Sequence, residues 1–241
     1  MIDWPASGRR RDGEERSTPF LRNRYWILRH GKSVPNARGI IVSSLENGIL
    51  AEFGLAPEGV TQARLAGEQF LKALEESDVR PEDVRICYSP FSRTSQTAEA
   101  VANAIGIPFP GAQCKAMEEL RERFFGPSFE LLSHDKYAEI WALDEIDPFR
   151  PPEGGESVAD VVFRLTAALT AIEAEFQRCA ILLVCHGDPL QIFQTIIDAA
   201  KDKTSSGDGG LESRIRRITV PSILSQHRRF ALLTGELRHV V

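Results

Sequence analysis

The chain has 241 residues, a formal net charge of −5, 42% hydrophobic and 26% charged residues. That length can bury a full core without disulfide or metal staples, and an acidic balance with no basic block excludes a dedicated nucleic-acid binder. The longest apolar stretch, residues 179–185, falls far short of the roughly 20 that span a bilayer, and no basic start leads into an apolar core, so a cytoplasmic protein with no membrane partner is expected.

Residues 1–24 are polar and irregular, with Arg9, Arg10 and Arg11 followed by Asp12, Glu14 and Glu15. They read as a solvated, flexible tail preceding a domain over residues 25–241. A targeting peptide is the weaker reading, since such segments are poor in acids, and a basic regulatory patch is a third. The run Tyr25-Trp26-Ile27-Leu28 stops at Arg29-His30-Gly31 and predicts a buried strand. Residues 57–76 carry apolar positions at helical spacing, with Pro57 suited to the first turn.

Residues 84–88 predict a second strand, 92–105 a helix ended by Gly106-Ile107-Pro108, 114–118 a third strand and 137–143 a short helix. After the Pro151-Pro152-Glu153-Gly154-Gly155 loop, residues 156–176 predict a second long helix. Residues 180–185 form a continuous aliphatic run, as in a strand buried on both faces. A helix is expected over 190–200, a flexible surface loop over 201–210, and a last strand or hairpin in 230–233 and 237–241. Cys87, Cys114, Cys179 and Cys185 form no CxxC pair, which speaks for buried reduced thiols and against a zinc or dithiol site. Alternating strands and helices imply one α/β domain in three layers, with a mostly parallel central sheet and helices on both faces.

In such a sheet the chemistry lies beyond the carboxyl ends of the strands. Arg29-His30-Gly31, Ser89 to Arg93, and His186-Gly187 all fall there, each after a predicted strand. Guanidinium forks match phosphoryl oxygens, and a histidine among them has its imidazolium form disfavoured, so it keeps a lone pair for nucleophilic attack. The pattern points to phosphoryl transfer without a bound metal, because no carboxylate cluster or His-x-His metal motif accompanies it.

The segment Arg29-His30-Gly31-Lys32-Ser33-Val34-Pro35-Asn36 resembles the RHGxSxxN signature of the histidine phosphatase superfamily, which includes the cofactor-dependent phosphoglycerate mutases. In the expected order, Leu55-Ala56-Pro57-Glu58-Gly59-Val60-Thr61-Gln62-Ala63 resembles LTxxGxxQA, and Ser89-Pro90-Phe91-Ser92-Arg93-Thr94-Ser95-Gln96-Thr97-Ala98 resembles SPLxRAxQTA. Leu120-Arg121-Glu122-Arg123-Phe124-Phe125-Gly126 is similar to LxExxxG, Gly154-Gly155-Glu156-Ser157 to the GES before a long helix, and Val184-Cys185-His186-Gly187 to the second-histidine motif.

The resemblance implies a phosphoglycerate mutase-like fold and a nucleophile, His30, that takes up the phosphoryl group. It implies that Arg29, Arg93 and His186 surround the phosphoryl oxygens, with Ser33, Asn36 and the Gly187 backbone N–H as additional donors. Glu122 is implied as the proton donor to the leaving alkoxide and the base for the water that follows. Glu118 and Glu119 lie close enough in sequence to compete for that role. His134, His227 and His239 match no position of the family and read as structural or surface residues.

The departures from the pattern are few. Ala56 replaces the threonine of LTxxG and reads as a lost helix cap. Asp188 brings a negative charge next to the second His-Gly, where it either points away or pairs with a cation. Residues 37–54 read either as a flap over the substrate or as a plain surface loop.

Three functions compete. A metal-independent phosphatase acting on a small phosphorylated metabolite, with no cofactor, is the first reading. A phosphoglycerate mutase is the second, supported by the Glu122-Arg123 pair and opposed by residues 126–152. There Lys136 and Arg150 face Glu130, Asp135, Glu139, Asp144, Glu145 and Asp147, a poor setting for a second phosphate. A non-catalytic phosphate-binding or scaffold protein is the third, opposed by the intact set His30, Arg29, Arg93, Glu122 and His186. No signal for an oligomeric state is present.

Overall fold

The computed structural model describes residues 20–201 and 210–241. The six aliphatic residues of β4 (Ala180–Cys185) are all buried, because β4 is flanked by β1 (Arg24–Arg29) and β2 (Val84–Tyr88) and covered on both faces. With β3 (Cys114–Ala116) and β5 (Leu237–His239) the sheet order is β3-β2-β4-β1-β5. Only β5 runs antiparallel, against β1.

The period-two alternation of the strands divides the core. Trp26, Leu28, Ile86, Leu182 and Val184 point into one layer with Phe70 of α3 (Pro57–Glu76) and Val101 of α4 (Ser92–Ala104). Tyr25, Ile27, Cys87, Leu183 and Cys185 point into the other, with residues of α6 (Val158–Glu175), α7 (Gly187–Lys201) and α8 (Leu211–Ile218). This is the expected three-layer α/β domain. Cys87, Cys179 and Cys185 are buried and Cys114 half-buried, all unpaired, and burial pushes the Cys87 and Cys185 thiols up to about 12.

Local rules account for the helix starts. Ser157 caps α6 through a reciprocal box with Asp160, whereas Ala56 at the head of α3 has no side-chain bond to offer and Pro57 takes the first turn. Before the site lie the short α1 (Val34–Arg38) and α2 (Leu45–Gly48), and after β3 comes α5 (Tyr137–Ile146).

Several boundaries differ from expectation. Of the tail expected over 1–24, residues 20–24 are packed: Leu21 and Asn23 are buried, and Asn23 Nδ2 donates to Glu173 Oε1 at 2.8 Å. Residues 1–19 and the loop expected at 202–209 lie outside the described residues. The helix expected from Leu190 begins at Gly187, directly after the second histidine. Residues 211–218, for which no element is expected, form α8. The stretch after it continues through α9 (Pro221–Leu224) into a 3-10 turn, His227–Phe230, so that Phe230 belongs to no hairpin and only β5 is extended. Leu211, Ile215 and Ile218 stand at the i, i+4 and i+7 spacing of a short amphipathic helix, so α8 does carry a helical signal in the sequence, whereas α9 and the 3-10 turn are too short for periodicity to mark. Among the described residues no helix is long and apolar enough to cross a membrane.

Candidate active site

The strand register puts the two histidines side by side. Arg29 pairs with Cys185 across β1 and β4, so His30 and His186 leave neighbouring strands at the same level, with ring centroids 5.2 Å apart. Ser89 follows β2 on the other side of β4, and α4 then starts at Ser92 and brings Arg93 in from its first turn. Arg93 is buried; its Nε donates to His30 Nε2 at 3.2 Å and its Nη2 to the Val42 carbonyl at 3.0 Å.

These bonds define the state of His30. Its Nδ1 lies 2.7 Å from the Gly31 carbonyl, which can only accept, so Nδ1 carries the proton and Nε2 keeps the lone pair that faces Arg93. Burial first, then Arg93 and Arg29, hold the imidazolium form well below its ordinary range. The following glycine is dictated by packing. A Cβ on Gly31 would stand 2.2 Å from the Gly59 carbonyl oxygen, and one on Gly59 would stand 2.0 Å from that of Lys32, so both motif glycines serve one backbone crossing at the start of α3.

Glu122 is buried beside the pair. Its Oε1 accepts from the Arg123 N–H at 3.0 Å, while Oε2 is 3.7 Å from His186 Nδ1 and 3.8 Å from Arg93 Nη2. Burial pushes the carboxyl up, Arg93 pulls it back and Asp188 pushes again, leaving it at about 7. Glu122 is therefore an acid that can both hold and release a proton near neutrality. Burial and the neighbouring cation Arg93 likewise keep His186 well below its ordinary range. Its Nε2 meets Ser89 Oγ at 2.8 Å.

Three buried nitrogens here have no hydrogen-bond partner: Arg29 Nε, Arg93 Nη1 and His186 Nδ1. An unsatisfied buried N–H costs about 1–3 kcal/mol, and nitrogens of three residues beside one histidine describe a receptor for a group rich in acceptor oxygens. Arg29, His30, Arg93, Glu122 and Gly187 line a cavity of about 310 Å³. Gly187 stands at the N-terminus of α7, where backbone N–H groups have no partner within the helix. Ser33 and Asn36 also line the cavity, but they form the capping box of α1: Ser33 Oγ donates to Asn36 Oδ1 at 2.9 Å and accepts from Asn36 N at 3.2 Å. The Ser33 hydroxyl proton is thus committed to a cap. Glu118 is exposed, and neither Glu118 nor Glu119 lines the cavity.

The tertiary structure decides what the sequence left open. Asp188 pairs with a cation: Arg123 Nη1 donates to Asp188 Oδ2 at 3.1 Å and to Asp144 Oδ2 at 2.7 Å, while Nη2 donates to Asp144 Oδ1 at 2.8 Å. Arg123 is fully buried and points away from the cavity into this cluster, which His227 completes, its Nε2 lying 3.8 Å from Asp144 and 3.9 Å from Asp188. Asp144, Asp188 and His227 have the mutual spacing of metal ligands. The guanidinium already sits between the two carboxylates as their cation, so these residues do not fit a metal ion. Residues 37–54 are held by Glu130, whose carboxylate accepts from Ser43, Ser44 and Asn47 at 2.8–3.1 Å. Although burial opposes it, these bonds lower the Glu130 carboxyl below its ordinary value.

One expectation needs correction. The acidic balance of residues 126–152 does not describe the cavity, because its lining from that stretch is His134, Tyr137 and Trp141, with no carboxylate. Arg228, from outside the stretch, joins them. Of the histidines outside the motifs, His134 and His239 are exposed and His227 is buried, as expected, although His134 also borders the cavity and His239 packs on Trp26. No sequence signal marks Trp141 or Arg228, since each belongs to a segment without a motif.

The family model of the histidine phosphatase superfamily (branch 1) matches residues 25–204. No curated protein matches the chain. Among solved structures, the product of the open reading frame Rv3214 from Mycobacterium tuberculosis is similar at 25% identity, over 89% of this chain and 89% of that one, with a TM-score of 0.58. A mycobacterial glucosyl-3-phosphoglycerate phosphatase, Rv2419c, is similar in fold at 19% identity, over 89% of this chain and 88% of its own, also at 0.58. A protein described as mycobacterial hydrolase 1 shares 25% identity over 72% of this chain and 78% of that one, at 0.55.

Proposed function

We propose that this chain, which belongs to the histidine phosphatase superfamily and is an enzyme of the phosphatase type, hydrolyses small phosphomonoesters through a phosphohistidine on His30, with no metal ion. The observation that carries the reading is the ring of unpartnered buried nitrogens, the donors Arg29 Nε and Arg93 Nη1 together with His186 Nδ1, around a neutral histidine. A phosphoryl group supplies the acceptor oxygens these donors lack.

In the first step the His30 Nε2 lone pair forms a bond to phosphorus while the ester P–O bond breaks. The leaving oxygen keeps the electron pair and takes the proton from the Glu122 carboxyl. Arg29 and Arg93 offset the charge that builds on the phosphoryl oxygens, a contribution that typically amounts to ~10²–10³ in rate per donor. In the second step water attacks phosphorus, the N–P bond breaks with its pair returning to Nε2, and the Glu122 carboxylate takes the water proton. Arg29 and Arg93 supply the positive charge that a divalent ion contributes in metal-dependent phosphatases.

Mutase activity is the second reading. Its sequence support, the Glu122-Arg123 pair, weakens here, because Arg123 grips Asp144 and Asp188 and does not line the cavity. The test is rapid quench of turnover in EDTA with a ³²P-labelled monoester. An acid-labile, base-stable adduct on the wild type and none on His30→Ala is expected. Label on the variant, or hydrolysis that EDTA abolishes and a metal restores, overturns the reading, as does conversion of 3- to 2-phosphoglycerate outrunning phosphate release tenfold.

A further inference from the structure

We propose that Arg228, stacked on Trp141 in the wall of the same cavity, holds a second anionic group of the substrate, so that the enzyme acts on phosphomonoesters carrying a carboxylate or a further phosphate in preference to neutral ones. This rests on the phosphatase reading of the His30 end of the cavity and adds the recognition of the part that is not transferred.

The Arg228 guanidinium carbon lies 3.3 Å from the centroid of the Trp141 ring, and Trp141 is itself stacked on Tyr137, with centroids 5.6 Å apart and planes within 10°. Stacking uses the face of a guanidinium and leaves its in-plane N–H fork free for the two oxygens of a carboxylate or phosphate. Among the described residues the Arg228 side chain makes no hydrogen bond and no ion pair, and only its backbone carbonyl is engaged, by the Ala231 N–H, while the neighbouring Arg229 pairs with Asp198. It is half-buried, so the ring desolvates a cation that no acid among the described residues compensates.

The charges lining the cavity support the same conclusion. Arg29 and Arg93 stand beside His30, where the transferred phosphoryl group is placed. Asp188 is tied to Arg123, and the Glu122 carboxyl is pushed up to about 7. Among the described residues that line the cavity, Arg228 on the aromatic wall is then the cation left without a carboxylate. With about 310 Å³ the cavity suits a phosphate plus a short scaffold that ends in the second anion.

The probes are 3-phosphoglycerate and glycerol 3-phosphate, which differ by a carboxylate against a hydroxymethyl group, with glycerol 1,3-bisphosphate as the arm for a second phosphate. For the wild type we expect kcat/KM to favour at least one of the doubly anionic esters over glycerol 3-phosphate by about 10- to 100-fold, the range of a charge-assisted pair, and to do so through KM. Whichever is preferred identifies the second anion. In Arg228→Met, which keeps the apolar stem, that ratio should fall tenfold or more, with Arg228→Lys in between. A wild-type ratio near one, or a loss in Arg228→Met that is equal on all three esters, overturns the second-anion site and leaves the phosphatase reading standing. If no ester is turned over, the phosphatase reading fails, and the same ratios taken as Kd by calorimetry still decide the role of Arg228.

Discussion

Replacing Glu122 by Gln tests both the chemistry and the electrostatics of the site. Glu122 is 7% exposed, and its carboxyl is raised from 4.5 to about 7 by burial, with Arg93 opposing and Asp188 adding to the rise. If it protonates the leaving oxygen, kcat/KM for an alkyl phosphate in Glu122→Gln should drop by ~10²–10⁴, the usual worth of general acid catalysis. For p-nitrophenyl phosphate, whose leaving group departs unprotonated, the loss should stay within about tenfold.

The acid form of Glu122 is lost as pH rises through about 7, while His30 stays neutral from well below its ordinary range upward. The wild-type profile on an alkyl phosphate should therefore fall above pH 7, and the ratio of wild type to variant on one substrate cancels the titration of the substrate itself. The same shift has a stability cost of opposite consequence. Between pH 4.5 and 7 the folded chain holds a proton that the unfolded chain has released, so stability falls across that window, by about 3 kcal/mol for a rise from 4.5 to about 7. In urea titrations Glu122→Gln should gain that stability over the wild type at pH 8 and lose the advantage at pH 4. Equal losses on both substrates, an unchanged fall above pH 7 in the variant, or a pH-independent stability difference would refute the reasoning.

Other perturbations address the scaffold. Gly31→Ala places a Cβ 2.2 Å from the Gly59 carbonyl oxygen, and urea unfolding should show a loss of at least ~1–3 kcal/mol, the range for overpacking, together with reduced turnover. A neutral result would mean that the crossing at α3 is loose. Asp144→Asn removes one of the two carboxylates that balance the fully buried Arg123, and a loss of about 3–5 kcal/mol is expected in the same assay. A loss below ~1 kcal/mol would show that Asp188 alone balances the guanidinium.

The sequence determined the sheet and the edge at which the polar motifs collect. Apolar runs that stop at Arg29-His30-Gly31, at Ser89 and at His186-Gly187 are local signals, and a parallel sheet turns three local stops into one place. The helices α3, α4 and α6 were legible for the same reason, but not the whole buried face of α3, where Phe70 and Leu74 are buried while Val60 and Leu65, apolar at the same spacing, are exposed. The tertiary structure alone decided the rest. Arg123 meets Asp144 and Asp188 across 21 and 65 residues of chain, and Ser43 meets Glu130 across 87, separations at which no spacing rule operates. The same holds for the cavity wall, where α5 supplies Trp141 and the turn before β5 supplies Arg228. A charge count along the chain could not anticipate that wall, because whether a carboxylate faces the cavity, the solvent or a buried arginine depends on packing between elements and leaves no trace in composition.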